Sequence, residues 1–117
     1  MTSLDDPYAG TDFYCAVALP NIGALDLVHD GDAVFAYHHT RPYWPVHIVV
    51  VPKRHVASLT TLAATDEPLI RELLGVIREV AAAVERDHGS ATVVTNLGAY
   101  QDSKHLHFHI ASGEPAR

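Results

Sequence analysis

Cysteine is nearly missing from the chain, and the single thiol, Cys15, can form neither an internal disulfide nor the paired thiolates of a structural zinc site. That usage suits a reducing, cytoplasmic setting. No run of eighteen apolar residues occurs, so no segment reads as a bilayer span and no membrane partner is expected. Residues 1–10 carry Asp5 and Asp6 without Lys, Arg or an apolar stretch, unlike a secretory or transit peptide. Positive charge is scarce as well: 8 Lys and Arg stand against 14 Asp and Glu, a formal charge of −6. This balance repels polyanions and argues against a nucleic acid polymer as partner. Internal repeats and low-complexity segments are absent.

What is present is an ordinary globular composition, 117 residues with 48% hydrophobic and 19% charged. A chain of that size buries roughly 60–70% of its unfolded surface and supports one core without staples. Histidine is the exception to the ordinary pattern. Most of the nine histidines fall in two stretches, 38–55 and 105–109.

Residues 1–12 are polar, with Pro7 and Gly10 as breakers, and read as a flexible acidic arm ahead of one domain over 13–117. Phe13–Leu19 supplies a short N-terminal element, and Asp30-Gly31-Asp32 between Leu25–His29 and Ala33–His39 predicts a hairpin. Pro42 and Pro45 force a loop over residues 41–45, because neither helix nor central strand accepts them. Val46–Val51 is β-branched and almost wholly apolar up to Pro52, the mark of a central strand, with His47 among the valines. Beyond it, Leu69, Leu73, Ile77, Val80 and Val84 recur every three or four positions, with Arg71, Glu72, Arg78, Glu79 and Arg86 opposite, which predicts an amphipathic helix. Thr65 or Asp66 can cap that helix, Pro68 fits its first turn, and Gly89 can end it. Ala91–Thr95 and Lys104–Ala111 add two strands around a polar loop. The sum is an α+β fold, a mainly antiparallel five-stranded sheet with one long helix.

The chemistry concentrates in His105-Leu106-His107-Phe108-His109-Ile110. Side chains alternate along a strand, so His105, His107 and His109 share one face and Leu106, Phe108 and Ile110 the other. Three imidazoles in a row can meet one small anionic group. A neutral ring is a nitrogen nucleophile near pH 7, and a protonated ring is a donor and a cation. On a phosphorus centre, one ring can attack while its neighbours hold the oxygens, with no metal or other cofactor required. Two other readings stay open: a polar strand face that meets water, and a zinc site built from the same rings.

The run from His105 to Ala111 resembles the His-apolar-His-apolar-His-apolar-apolar hallmark of the histidine triad (HIT) superfamily of nucleotide-binding proteins. The stretch Ala36–His55, with His47 and Pro52-Lys53-Arg54-His55, and the stretch Val93-Val94-Thr95-Asn96 also resemble the family's pattern. The resemblance implies a HIT-like sheet and a homodimer that joins two sheets. It implies a nucleotidyl hydrolase or transferase acting on a purine nucleotide or nucleotide conjugate, such as a nucleoside phosphoramidate or dinucleoside polyphosphate. His107 would be the covalent nucleophile, His105 a supporting ring oriented by His47, and His109 a donor to phosphate oxygens. Asn96 and Gln101 would contact the phosphate or leaving group, while Tyr37 and Val49 would line an apolar slot for the base.

This chain departs from the family's usual pattern at three places. His39 stands where many members carry an acidic residue for the ribose hydroxyls. Asp102 occupies the place of a hydroxyl residue, with Ser103 one position later, so protonation of the leaving group passes to Ser103 or Asp102. Lys104 can offset the added carboxylate. Only Ser112–Arg117 follow the motif. These departures motivate two alternatives, a catalytically weak nucleotide-binding module and a metal-dependent hydrolase with the triad as zinc ligands.

Overall fold

The computed structural model describes residues 19–115. The predicted acidic arm, and all but the last residue of Phe13–Leu19, lie outside the described residues. A 3-10 turn, Leu19–Ala24, leads into β1 (Leu27–Asp30) and β2 (Val34–His38), joined by the expected hairpin. Strand β3 (Val46–Pro52) follows the proline loop, and the helix α1 spans Glu67–His88. Strands β4 (Thr92–Val94) and β5 (Phe108–Ser112) complete one antiparallel sheet in the order β1-β2-β3-β5-β4.

The helix forms as its periodicity requires. Its buried stripe is Leu69, Leu73, Val76, Ile77, Val80 and Val84, which packs on Val34, Ala36, Ile48, Val50, Leu106 and Ile110 of the sheet and its approach. Gly89 closes it in the left-handed region, at φ 85°, and its N–H donates to the Glu85 carbonyl at 2.8 Å. That conformation carries no steric penalty for glycine. The Arg71 guanidinium donates to Glu67 one turn back at 2.7 Å. Asp66 stands at the start but does not cap α1 with its side chain. Its carboxylate accepts the Ala63 N–H at 2.8 Å and pairs with Arg54, so it closes the preceding 3-10 turn, Ala64–Asp66, instead.

The opposite face of the sheet holds Phe35, Tyr37, Val49 and Val51, with Ile22 and Leu25 laid against them from the N-terminal turn. Tyr37 and Val49, expected to line an apolar slot for a base, are buried at 2% and 0% exposure. His29 is half-buried beside Gly31, and its Nε2 is a buried atom without a hydrogen-bond partner.

Strand β5 starts four residues later than the sequence pattern predicts. The reason is Pro52, which has no N–H to extend the β3 ladder and whose carbonyl accepts the His105 ring at 2.7 Å. The chain ahead of β5 turns away to other partners. Leu106 donates its N–H to the Val56 carbonyl at 2.6 Å.

Candidate active site

The pairing register places the site's side chains before any of them rotates. Tyr37, Val49, His109 and Val94 lie opposite one another across β2, β3, β5 and β4. One row along, His47 faces Ala111, and the His39 N–H donates to the His47 carbonyl at 2.8 Å. Directly opposed residues share a face, so His39, His47 and His109 all stand on the face away from α1. Ala111 is small, so the His47 ring can lean across it toward its diagonal neighbour. Nε2 of His47 lies 2.8 Å from Nδ1 of His109. This is the first correction to the expected roles: His47 orients His109, not His105. His105 is fully buried, its ring bonded to Pro52 and set edge-on to His55 with centroids 5.3 Å apart.

Backbone groups fix which nitrogen of each ring carries the proton. The Tyr43 N–H can only donate, and it meets Nδ1 of His47 at 2.9 Å, so a neutral His47 keeps its proton on Nε2 and gives it to Nδ1 of His109. His109, accepting at Nδ1, then holds its own proton on Nε2. His107 is set the other way. Its Nδ1 lies 2.7 Å from the His105 carbonyl, which can only accept, so Nδ1 carries the proton and Nε2 is left with a lone pair. The rings of His107 and His109 stand 4.9 Å apart and nearly perpendicular, at 85°. An unprotonated ring nitrogen and an N–H donor thus belong to neighbouring rings.

Burial keeps these rings neutral. Desolvation, reinforced by His39 and His107, lowers the His47 pKa from 6.5 to about 3. His109 is lowered to about 3, by burial first and then by His107, His47 and His39. Burial also lowers His107, although its bond to the His105 carbonyl and the charge of Asp102 oppose the shift. A cationic imidazole taken out of water without a carboxylate against it is disfavoured. Where the sequence suggests one protonated ring, His107 and His109 are therefore both held toward the neutral form.

Other residues expected at the site fall into two groups. His39 joins the cluster, stacked on His47 with centroids 4.3 Å apart. Asn96 is half-buried just past β4, and Ser103 is buried in the loop before the triad. Gln101 commits one amide N–H to the fold: Nε2 donates to the Ala57 carbonyl at 2.6 Å and ties the loop to the segment after β3. Lys104 likewise closes the loop, donating to the Gly98 and Gln101 carbonyls at 2.9 and 3.1 Å, and Asp102 is exposed.

Three contributors are not among the residues expected at the site. Thr95 donates its hydroxyl to the His107 carbonyl at 2.8 Å, which anchors the His107 backbone to the segment just past β4. The Tyr43 amide sets the His47 tautomer, and Trp44 meets the His47 ring edge-on at 4.9 Å. Thr95 could have been found beside Asn96 in the motif. The Tyr43 contact could not, because every non-proline residue has the same N–H. Among the described residues, no group of three or more His, Cys, Asp or Glu is arranged to hold a metal ion. No helix among them is long and apolar enough to cross a membrane.

Comparison with known proteins adds an independent line. The family model of the HIT domain matches residues 24–116. A HIT-like protein of Synechococcus elongatus is 34% identical over 75% of this chain and 78% of its own. The protein HitA of Neisseria gonorrhoeae is 32% identical over 83% of this chain and 91% of its own. Among solved structures, a histidine triad protein from Clostridium difficile superposes with a TM-score of 0.73 at 31% identity, covering 88% of this chain and 90% of that one. A HIT family hydrolase from Legionella pneumophila shares the fold, with a TM-score of 0.75 at 24% identity over 89% and 94% of the two chains.

Proposed function

The chain belongs to the HIT domain family, and from that premise we propose that it hydrolyses, or transfers, the nucleotidyl group of a nucleoside phosphoramidate, dinucleoside polyphosphate or related nucleotide conjugate. One observation carries this reading: His107 is tied at Nδ1 to the His105 carbonyl, which leaves Nε2 unprotonated beside His109. The Nε2 lone pair attacks the α-phosphorus, a P–N bond forms to His107, and the bond from phosphorus to the leaving group breaks. The leaving group takes the electron pair and a proton, for which Ser103 and Asp102 are the candidate sources. Nε2–H of His109, fixed through His47, donates to a non-bridging oxygen as charge builds on it. Water then attacks the same phosphorus and displaces His107, so the sum is one water consumed and one nucleoside monophosphate released.

The ligand is a purine nucleotide or conjugate, with Asn96 and His39 as its candidate polar contacts. A homodimer is favoured by the edge strand β4, where Val93 is 48% exposed, and by Leu97 in the loop after it, 41% exposed. An open ladder with apolar residues is commonly covered by a second copy. The cytoplasm is the matching location for a chain with one cysteine.

A nucleotide-binding module with weak turnover is the second reading, favoured by the commitment of the Gln101 amide to Ala57. One experiment separates the readings: incubation with α-labelled adenosine phosphoramidate, rapid non-acid quenching, and mapping of label onto His107. Label on His107 that is lost in His107→Asn supports transfer, whereas binding without label or turnover supports the module. Turnover abolished by chelator and restored by zinc identifies a metal-dependent hydrolase.

A further inference from the structure

One ring of the cluster has no part in the chemistry just described. His39, directly after β2, stacks on His47 at 4.3 Å with the planes 21° from parallel, and its centroid lies 6.2 Å from that of His109. Two backbone bonds hold it there. Its N–H donates to the His47 carbonyl at 2.8 Å, and its Nδ1 accepts the Arg41 N–H at 3.0 Å. Arg41 and Tyr43, two residues apart in one proline-bounded loop, thus set the tautomers of both stacked rings through their amides.

We propose that His39 is a positioning residue: stacked on His47, it holds that ring in the orientation in which the Tyr43 amide and Nδ1 of His109 set its tautomer, so that Nε2–H of His109 stays a donor, and it keeps that pair from taking up a proton in acid. The physical case starts with where a proton could go. On His47 it must enter at Nδ1, where it displaces the Tyr43 amide and sets a cation face to face with a second imidazole. The stack also shields that face of His47 from water that would solvate the cation.

The groups facing the pair are His39 from the end of β2, Tyr43 and Trp44 from the loop, and His107 from the approach to β5. Among the described residues, the carboxylate whose charge reaches the cluster is that of Asp102, and it acts on His107. The pKa values of about 3 at His47 and His109, with His39 among the causes at both, agree with this arrangement. The functional consequence rests on the nucleotidyl-transfer reading: the donor and the bare nucleophile persist together at pH values that would protonate an ordinary imidazole pair.

The test is a 15N NMR titration of the full chain, wild type beside His39→Asp, His39→Ala and His39→Phe, with the pH profile of kcat/KM for adenosine phosphoramidate taken on the same proteins. A carboxylate brought within about 4–6 Å should raise the His47 and His109 midpoints by about one unit or more in His39→Asp. His39→Ala should raise them less, and His39→Phe, which keeps a flat ring on the stack, least. The acid limb of kcat/KM should move in the same order. Unchanged midpoints in His39→Ala overturn the proposal whatever His39→Asp does, because a new carboxylate acts by its own charge, and so does a wild-type His47 with its proton on Nδ1. Where His39→Asp does not fold, the Ala and Phe variants decide between the same outcomes. Shifted midpoints in a protein that turns over no nucleotide uphold the inference about His39 and remove the transfer reading instead.

Discussion

The two faces of the central sheet are made by alternate residues of the same strands, yet they obey different physics. Toward α1, Val34, Ala36, Ile48, Val50 and Ile110 meet the helix stripe in an apolar layer. On the other side, the neighbours of those residues include His39, His47 and His109, and His107 stands beside them. The helix face gains by removing apolar surface from water, roughly 25 cal/mol per Å², and any side chain of similar shape would serve. The histidine face buries groups that prefer water, and it is acceptable only because each ring nitrogen described above finds a partner or stays neutral. The helix face serves packing alone, whereas the other face combines the apolar cluster of Phe35, Tyr37, Val49 and Val51 with the histidines of the candidate site.

The sharpest way to break this division is His107→Asn. Removing the attacking nitrogen should lower turnover of adenosine phosphoramidate by on the order of a thousandfold or more, with a melting temperature close to wild type. The mirror experiment is Leu73→Ala on the helix face. It should cost about 2–5 kcal/mol in urea unfolding while leaving kcat per folded molecule unchanged. Loss of catalysis there would show that the two faces are coupled.

His47→Ala is intermediate, because it deletes the group that orients His109 and leaves Nδ1 of that ring unpartnered. Partners of this kind are commonly worth about 10–100-fold in activity, which steady-state kinetics reads directly.

Acid sharpens the same contrast. In the unfolded chain an imidazole takes up its proton near its ordinary pKa of 6.5, whereas folded His47 and His109 resist until about 3. Between those values the unfolded state binds more protons, so stability should fall as pH drops from about 6.5 toward 3. Urea midpoints measured across that range should decline less steeply in a His47→Gln variant. The smallest effect belongs to Glu67→Ala, which removes a solvent-exposed pair with Arg71 and should cost at most about 0.5 kcal/mol by thermal melting.

Much of this was legible in the chain. The spacing of Leu69, Leu73, Ile77, Val80 and Val84 identified the buried side of α1, since helical geometry alone decides which residues share a face. The Asp-Gly hairpin and the proline loop were equally plain. The partner of His47 was not. Spacing cannot tell whether residue 47 lies beside 105 or 109, and that choice fell to a register in which small Ala111 faces His47. The start of β5 and the side-chain role of Asp66 were misplaced for a related reason: each depends on a group remote from the local pattern, the carbonyl of Pro52 in one case and the Ala63 amide and Arg54 in the other.

By itself, the order of residues determined the family, the layering of one helix on an antiparallel sheet, and the presence of three imidazoles in alternation, because all of these follow from periodicities of two and 3.6 along the chain. Only the tertiary structure decided where the protons sit on those rings, with Nδ1 of His107 on the His105 carbonyl, Nδ1 of His47 on the Tyr43 amide and Nδ1 of His109 on Nε2 of His47. Those tautomers depend on amides and carbonyls that every residue possesses, so only their placement in space could set them.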